Sequence, residues 1–299
     1  MIRHNLLITY RNSIRNKSTF IINLLGLSTG LACVLLIYLW VGNELNINKF
    51  GKDDNRRLQI MENTENSESI ITGPSTPDLL AQALADEIPE VEYAAAVTPS
   101  SWFGNFTLAN EGNNYKAMGQ FAGKDFFNVF PYDLLKGNKE HVLSENNSIV
   151  ISEQLALKIF HTTDNIIGKP VESQLLSFNM PVAVSGVYKG IPSNSTERFD
   201  FVLSYDLWLN ILKQLGSPVN WGNHRPDTYV LLKQGADAKE FNNKIEEFIK
   251  KKNKNSNVTL FARPYSDNYL YNKYENGILV GGKIEYVKPW RDGRCVQDP

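Results

Sequence analysis

Two glycine-rich segments are the places where residue types and spacing in this sequence would suit chemistry. The first, Gly26-Leu-Ser-Thr-Gly30, matches the G-x-S-x-G pattern of a nucleophile elbow, in which a serine attacks an acyl group. That elbow requires a sharp strand-to-helix turn, whereas this pattern lies inside a long apolar run. A sharp turn in lipid would leave backbone groups unpaired. We predict instead that Gly26 and Gly30 form a strip on one helix face, against which another membrane helix can pack.

The second segment, residues 277–283, resembles the P-loop that binds nucleotide phosphates. Ile284 follows its lysine, so the hydroxyl that would hold magnesium is missing. Polar residues 274–276 precede it, where a P-loop would follow a strand. We predict no nucleotide or other cofactor site on this chain.

The spacing of histidines and acidic residues predicts no metal site or catalytic site elsewhere in the sequence. The histidines are scattered, and no pair has the spacing of metal ligands: His4, His141, His161 and His224. Acidic residues are plentiful, but spacing singles out no pair. The sequons at Asn105 and Asn194 are short patterns that often arise by chance. The hypothesis of a membrane-anchored enzyme therefore has no set of candidate catalytic residues to support it. No catalytic residue is predicted.

The net charge and the cysteine content argue against a nucleic-acid-binding protein and against a disulfide-stabilised domain. The net charge is −1, without the basic stripe that nucleic-acid binding requires, so no nucleic-acid partner is expected. Cys33 lies in the apolar run and Cys295 lies near the end of the chain. A bridge between them would join lipid to water, so we expect no disulfide and an ordinary apolar core.

One apolar segment decides the cellular compartment. Residues 20–43 carry no charge and read FIINLLGLSTGLACVLLIYLWVGN. A bilayer-spanning helix needs about 20 mostly apolar residues. The alternatives are a buried core helix and a cleaved signal peptide, but a signal peptide's apolar region is usually only about 7–15 residues long. We predict a retained transmembrane helix over residues 20–43.

Basic residues beside this helix favour a cytoplasmic N-terminus. Arg15 and Lys17 abut the span, whereas the first basic residue after it is Lys49. Both flanks hold equal numbers of basic residues, so proximity alone favours this orientation. Residues 1–19 are predicted to be a cytoplasmic segment, either a loose basic tail or an amphipathic helix on the membrane surface. The apolar positions of that helix would be Ile2, Leu6, Tyr10 and Ile14.

The rest of the chain is typical of a folded domain. Residues 44–57 are polar with isolated apolar residues, and they predict a stalk that continues the helix. Strands are predicted at residues 58–61, 91–97, 149–151, 182–187, 228–232 and 258–261. Helices are predicted at residues 76–88 (with Thr76-Pro77-Asp78 as the start), 152–160 (with Ser152 as N-cap) and 238–252. Strands and helices mix without a regular βαβ repeat, so the predicted fold class is α+β, with one N-terminal transmembrane helix followed by a large mixed α+β extracytoplasmic domain.

Several segments, taken in order, resemble one family. The chain starts with RNSIRNK at residues 11–17, which runs into the apolar helix, and NEL follows at residues 43–45. Later segments are FFNVF at 126–130, LLKG at 134–137, IVISEQLALKIF at 149–160, IGK at 167–169, VSGV at 184–187, IPSNS at 191–195 and FDF at 199–201. Their order and spacing over residues 1–287 resemble the MacB/FtsX-type ABC transporter permeases, in the long-domain form common in Bacteroidetes.

The resemblance implies a permease subunit rather than an enzyme, with residues 58–287 as a MacB-like periplasmic core domain. It places the chain in the bacterial inner membrane, single-pass here, with the large domain in the periplasm. Such permeases carry four membrane helices, pair as homo- or heterodimers and bind a cytoplasmic ABC ATPase. ATP-driven motion passes through the stalk to the periplasmic domain. Their cargoes include drugs, peptides and lipoproteins, and some members regulate cell-wall hydrolases.

The sequence departs from this family in two places. After residue 287 the family continues into a second membrane helix, whereas residues 288–299 form an atypical polar tail. We therefore expect a fragment, a frameshifted product or an incomplete sequence. Relatives often have His at the position of Thr196. The alternative function is a single-pass anchored periplasmic binding or sensor protein, which needs no missing parts but leaves the ordered family segments unexplained.

Overall fold

The computed structural model describes residues 11, 15–175 and 178–291, and it divides the chain into two compact units. One unit joins the residues up to 46 with those from 284 onward, and the other comprises residues 47–283. The helices in the described part are α1 (Lys17–Leu45), α2 (Leu80–Glu87), α3 (Phe126–Val129), α4 (Glu153–Phe160), α5 (Tyr205–Gln214), α6 (Ala238–Ile245), α7 (Phe248–Lys252) and α8 (Ile284–Arg291).

Helix α1 contains the predicted membrane span. Its 29 residues are apolar and long enough to cross a membrane, since about 1.5 Å per residue gives about 44 Å against a hydrocarbon core of about 30 Å. Asn46 follows the helix, and its side-chain Nδ2 donates to the Gly42 carbonyl at 2.8 Å. Within the same unit α8 packs against α1. The positions Ile2, Leu6, Tyr10 and Ile14 lie outside the described residues.

The boundaries after this helix differ from those predicted. The stalk predicted at residues 44–57 does not continue the helix, because α1 ends at Leu45 and residues 47–56 form turns within the unit 47–283. Helix α8 begins at Ile284, inside the predicted domain 58–287. It extends into the predicted tail 288–299, of which residues 292–299 lie outside the described part.

The strands in the described part form a 13-stranded sheet and a separate hairpin. They are β1 (Arg57–Glu65), β2 (Ile70–Gly73), β3 (Ser75–Pro77), β4 (Val91–Val97), β5 (Asn105–Asn110), β6 (Asn113–Ala122), β7 (Leu134–Lys136), β8 (Ser148–Ser152), β9 (Pro170–Leu175), β10 (Phe178–Tyr188), β11 (Phe201–Ser204), β12 (His224–Leu232), β13 (Val258–Pro264), β14 (Lys273–Glu275) and β15 (Ile278–Gly281). The hairpin is β14 with β15.

Six strands of the large sheet close into a barrel. Their order is β6–β5–β9–β10–β8–β11, and β11 pairs back to β6. The pairs β8–β10 and β6–β11 are parallel, and the others are antiparallel. Beyond β6 an open antiparallel sheet continues as β4–β12–β1–β13. Strand β6 therefore belongs to both parts, and closure removes the free edges of the barrel strands.

Two buried clusters hold these strands together. One includes the barrel residues Phe106, Phe121 and Phe201, whose rings meet edge to face or tilted, with centroids 5.1–6.1 Å apart where they pair. The second cluster contains a set of aromatic residues that we call the aromatic core: Phe126, Phe127, Phe130, Tyr132, Tyr188, Phe199, Tyr229 and Tyr265.

The α+β class is confirmed, and most predicted elements are present. The helix start predicted at residues 76–78 is wrong, because residues 75–77 pair with β12 as strand β3 and α2 begins at Leu80. Strand β4 has the predicted bounds, and Ser152 caps α4 by accepting from the Leu155 backbone N–H at 3.2 Å. The single helix predicted over residues 238–252 is wrong. It divides into α6 and α7 because the Glu246 carbonyl accepts from the Leu260 N–H at 3.0 Å, which takes it out of the helical hydrogen-bond pattern.

Gly119 is required for barrel packing because a Cβ there would lie 2.1 Å from the Phe201 ring. Gly119→Ala should lower the free energy of unfolding by about 1–3 kcal/mol through overpacking. Combining it with Phe201→Leu should recover part of that loss. Gly73→Ala is the control, because its Cβ would meet no described atom within 4 Å. Chemical denaturation of the detergent-solubilised chain measures the differences, and equal stability of the two alanine variants would contradict this account.

Candidate coupling site around Asn48

Asn48 lies three residues after the end of α1, yet it is fully buried within the unit 47–283. Its φ is 58°, in the left-handed region that asparagine tolerates better than most residues. An amide buried in this way must have all its hydrogen-bonding groups satisfied by protein.

The partners of Asn48 come from two distant segments. Its backbone N–H donates to the Asn194 carbonyl at 2.7 Å. Its side-chain Nδ2 donates to Asn268 Oδ1 at 2.6 Å and to Thr196 Oγ1 at 3.0 Å. Its Oδ1 accepts from the Thr196 N–H at 2.9 Å. Asn194 Nδ2 in turn donates to the Lys49 carbonyl at 2.7 Å. The turn after the helix is thus fastened to residues 191–200, which we call the coupling loop.

An ion pair fixes the rest of this turn. The Asp54 carboxylate accepts from the backbone N–H groups of Phe50 and Gly51, each at 2.9 Å. It also pairs with Arg57 Nη1 at 2.8 Å. Arg57 is only 3% exposed, and its Nε donates to the Val129 carbonyl at 2.7 Å. Burial lowers the pKa of the Arg57 guanidinium, and the adjacent Asp54 carboxylate opposes that shift.

Phe50 joins the turn to the aromatic core. Its ring stacks on Tyr265 with centroids 6.0 Å apart and meets Tyr132 edge-on at 6.4 Å. The Arg57 guanidinium lies over the Phe50 ring, with its Cζ 5.6 Å from the ring centroid. A displacement of this turn would therefore disturb a large, closely packed part of the domain.

The coupling loop is held by the domain independently of Asn48. Arg198 Nη1 donates to the carbonyls of Ser195 and Glu197, both at 2.6 Å. The Arg198 carbonyl accepts from Ser100 Oγ at 2.9 Å, and the Phe199 carbonyl accepts from Tyr188 Oη at 2.8 Å. The loop is thus a braced element rather than a loose connection.

The structure separates the residues that the sequence singled out. Gly26 and Gly30 lie within α1, where a methyl group added to either would meet no described atom within 4 Å. Ser28 Oγ donates to the Leu25 carbonyl at 3.0 Å inside the same helix, so the G-x-S-x-G pattern forms no elbow. Residues 277–283 comprise the tip of the hairpin, strand β15 and the connection to α8.

The histidines named in the sequence analysis do not come together into a site among the described residues. His224 Nδ1 lies 2.6 Å from Glu62 Oε2, and His161 caps the end of α4 in a left-handed conformation. Among the described residues no group of three or more His, Cys, Asp or Glu could hold a metal. His4 and Cys295 lie outside the described part.

Sequence reasoning missed Asn48 and its partners. Asn194 and Thr196 entered the sequence analysis as a chance sequon, as part of a family segment and as a departure from the family pattern, but none of these features predicts contact with Asn48. The available signal was the run of asparagines around the helix end, Asn43, Asn46 and Asn48, since asparagine favours turns and the left-handed conformation.

Comparisons with known proteins identify the family of the large domain. Residues 20–248 match the family model described as the MacB-like periplasmic core domain. A domain assigned as a permease protein from Porphyromonas gingivalis has a similar fold, with a TM-score of 0.57 and 23% identity over 71% of this chain and 92% of that one.

Two other solved structures were also matched. The periplasmic region of MacB from Actinobacillus actinomycetemcomitans gives a TM-score of 0.48 at 16% identity, over 72% of this chain and 91% of that one. The extracellular domain of the noncanonic ABC-type transporter YknZ from Gram-positive bacteria gives 0.47 at 16% identity, over 69% and 99%. No curated protein sequence matches significantly.

Removing the Asn48 side chain should release the turn. We expect Asn48→Ala to lower the free energy of unfolding by about 3 kcal/mol, because buried partners lose their hydrogen bonds and alanine is strained at this φ. Asn48→Gly should cost about 1 kcal/mol less, since glycine accepts the backbone conformation. Denaturation gives these values, and hydrogen exchange should show faster exchange of the Thr196 amide in both variants. Unchanged protection of that amide would show that Asn48 does not hold the loop.

Proposed function

Because the chain belongs to the family with a MacB-like periplasmic core domain, we propose that it works as a permease subunit that passes ATP-driven motion to its large domain. Domains of this family are parts of ABC transporter permeases. The energy source would be a separate cytoplasmic ABC ATPase, so this chain itself would catalyse no reaction. Motion would serve export or mechanical signalling rather than chemistry.

The observation that carries this proposal is the set of hydrogen bonds at Asn48. A permease that transmits motion needs a stiff connection between its membrane helix and its outer domain. In the turn that follows α1, Asn48 is buried with its side-chain amide fully paired, and the buried Arg57 fixes the other end of the turn. A flexible linker would dissipate the motion of the helix, whereas this turn would transmit it to the coupling loop.

The coupling loop also faces a candidate binding surface. It forms one wall of an open cleft of about 520 Å³, which is also lined by Pro131, Asp133 and the start of α4. Lys189, Arg198 and Asp200 lie at this wall, among apolar residues that include Ile191 and Phe199. A cargo or a partner held in the cleft would contact the same loop that holds Asn48.

The proposed location is the bacterial inner membrane, single-pass in this chain, with residues 47–283 in the periplasm. The length and composition of α1 support the span, and Arg15 and Lys17 before the span support a cytoplasmic N-terminus. The proposed partners are the lipid bilayer, the ABC ATPase and a second permease chain in a homo- or heterodimer.

Assembly with an ATPase tests this function. The chain would be co-expressed with the ABC ATPase encoded beside its gene and reconstituted in lipid nanodiscs. We expect a stable complex in which vanadate trapping with ATP changes hydrogen exchange in residues 191–200. Asn48→Gly should remove that change while ATP hydrolysis continues, because the motor is intact and the connection is broken. Gly73→Ala should behave as the parent. Absence of any complex with the neighbouring ATPase, or of any change in the loop, would refute the proposal.

We propose that Gly26 and Gly30 form the packing face of α1 against another membrane helix. In lipid, helices associate through close backbone approach, which two glycines four residues apart permit. Cys33, seven residues after Gly26, lies on the same face and is an exposed free thiol. Crosslinking through the Cys33 thiol can therefore report whether two copies of this helix meet along the glycine face.

Oxidative crosslinking of the Cys295→Ser chain in membranes measures this contact. We expect a Cys33-linked dimer, at least several-fold reduced by Gly26→Leu or Gly30→Leu and little changed by Leu27→Ala. Membrane insertion should persist, because both leucine variants increase hydrophobicity. Moving the thiol to the opposite face, as Cys33→Ser with Leu35→Cys, should abolish the crosslink. The face is assigned wrongly if the glycine variants crosslink as well as the parent while Leu27→Ala fails.

A further inference from the structure

The hairpin formed by β14 and β15 exposes an apolar strand. Ile278, Leu279 and Val280 of β15 are 68%, 46% and 44% exposed. Successive side chains of a strand point to opposite faces, so both faces of β15 are left uncovered by the rest of the described chain. A single exposed aliphatic residue is ordinary, whereas three in succession on one short strand are typical of a surface that meets a membrane or another protein.

The hairpin is held firmly by the large sheet. Arg263 of β13 donates through Nη1 to the Tyr271 carbonyl at 2.7 Å. Its guanidinium lies over the Tyr274 ring, with Cζ 5.7 Å from the ring centroid. At the tip of the hairpin, a Cβ on Gly277 would lie 3.2 Å from Ile70 of β2. The apolar strand is therefore presented by a braced hairpin rather than by a loose loop.

The position of the hairpin in the chain links it to the membrane helix. Only Gly282 and Lys283 separate β15 from α8. Helix α8 packs against α1 within the other compact unit. The residues of α1 that are not exposed lie from Ile37 onward, at the end of the uncharged run. The apolar strand thus comes two residues before a helix that packs at the end of the span leading into the large domain.

We propose that the β14–β15 hairpin docks on the lipid bilayer, with Ile278, Leu279 and Val280 at the boundary between headgroups and acyl chains. Lipid covers both faces of a projecting strand, whereas a flat protein surface would cover only one. The side chains that follow the strand suit the headgroup region. Lys283 Nζ lies 4.0 Å from the centroid of the Tyr269 ring, and tyrosine rings and lysine stems both favour a membrane interface.

The backbone of β15 limits the depth of this contact. In the described part of the chain β15 pairs only with β14, so the N–H and C=O groups of its outer edge have no strand partner. Unpaired backbone groups are not tolerated in the hydrocarbon core, but water and headgroups can satisfy them. The strand should therefore lie about 5–10 Å into the interface, as amphipathic surface helices do.

Apolar burial rather than charge is the driving force for this contact. Lys273 pairs with Glu275 at 3.2 Å within the hairpin. The exposed acids Glu65 and Glu68 lie at the end of the neighbouring β1–β2 pair. These acids would not favour an anionic membrane. We therefore expect contact with neutral phosphatidylcholine, with little dependence on salt concentration.

Depth-dependent fluorescence quenching tests the contact. The full-length Cys33→Ser, Cys295→Ser chain with Leu279→Cys would be labelled with NBD and placed, one chain per disc, in phosphatidylcholine nanodiscs. We expect quenching by lipids that carry a nitroxide near the headgroup. Quenching by iodide in the water should be at least several-fold weaker than for the same label at Ile167→Cys. Ile167 is the matched control, because it is an aliphatic residue, 50% exposed, between α4 and β9.

The native Cys33 provides a depth reference in the Cys295→Ser chain. It lies near the middle of the uncharged run of residues 20–43. Its label should be quenched more by a nitroxide deep in the acyl chains than by one near the headgroup, the reverse of the order expected for the label at residue 279.

Equal quenching of the Leu279→Cys and Ile167→Cys labels by the nitroxide lipids would overturn the proposal. So would protection of the label at residue 279 that requires two chains per disc and occurs without lipid quenching, because a second copy would then cover the strand. Circular dichroism establishes folding, and if the Leu279→Cys chain fails to fold, Ile278→Cys decides.

The inference rests on the membrane span of α1 but not on coupling to an ATPase. A Cys33 label that no nitroxide lipid quenches would overturn both the span and the lipid contact of the hairpin. A chain that shows the expected quenching but forms no complex with an ATPase would contradict the proposed function and leave the lipid contact standing.

Discussion

The buried amide of Asn48 sets the geometry of the point where the chain enters its large domain. Water cannot reach it, so each of its polar groups must be paired by protein, and the partners lie on residues 194–196 and at Asn268. This requirement brings together segments that are far apart in sequence. It also explains why the helix ends at Leu45: three residues later the chain adopts a left-handed conformation that a continuing α-helix cannot contain.

The sheet gives this turn a rigid base. Strand β6 belongs both to the closed barrel and to the open sheet, so a force applied to one part is carried by covalent backbone into the other. The barrel closes because Gly119 leaves room for the Phe201 ring on the neighbouring strand. The aromatic core lies where the coupling loop, β12 and the turn at Phe50 meet, and ring contacts of 5–6 Å couple their positions.

The two buried charged residues of this region, Arg57 and Asp227, differ in how their charges are paired. Arg57 is buried but paired with Asp54 and the Val129 carbonyl, so its charge is compensated within the fold. Asp227 is also buried, but it has only the Tyr229 hydroxyl, and its pKa rises to about 7. The first arrangement is typical of a structural ion pair. The second is costly while the carboxylate is ionised, which is why burial raises the pKa of Asp227.

The sequence by itself determined the long helix, the α+β class, most strands and the family. Each depends on local signals: the uncharged run of residues 20–43, short alternating or fully apolar strands, the Ser152 cap and the order of short segments. Tertiary structure alone decided the rest. The periodicity of residues 238–252 predicts one helix, but the helix is interrupted at Glu246. The carbonyl of Glu246 accepts from the backbone N–H of Leu260 in β13 instead of from its own helix. Asn48, Thr196 and Asn268 became a site only through folding, since their hydrogen bonds cross 148 and 220 residues and no local spacing encodes such pairs.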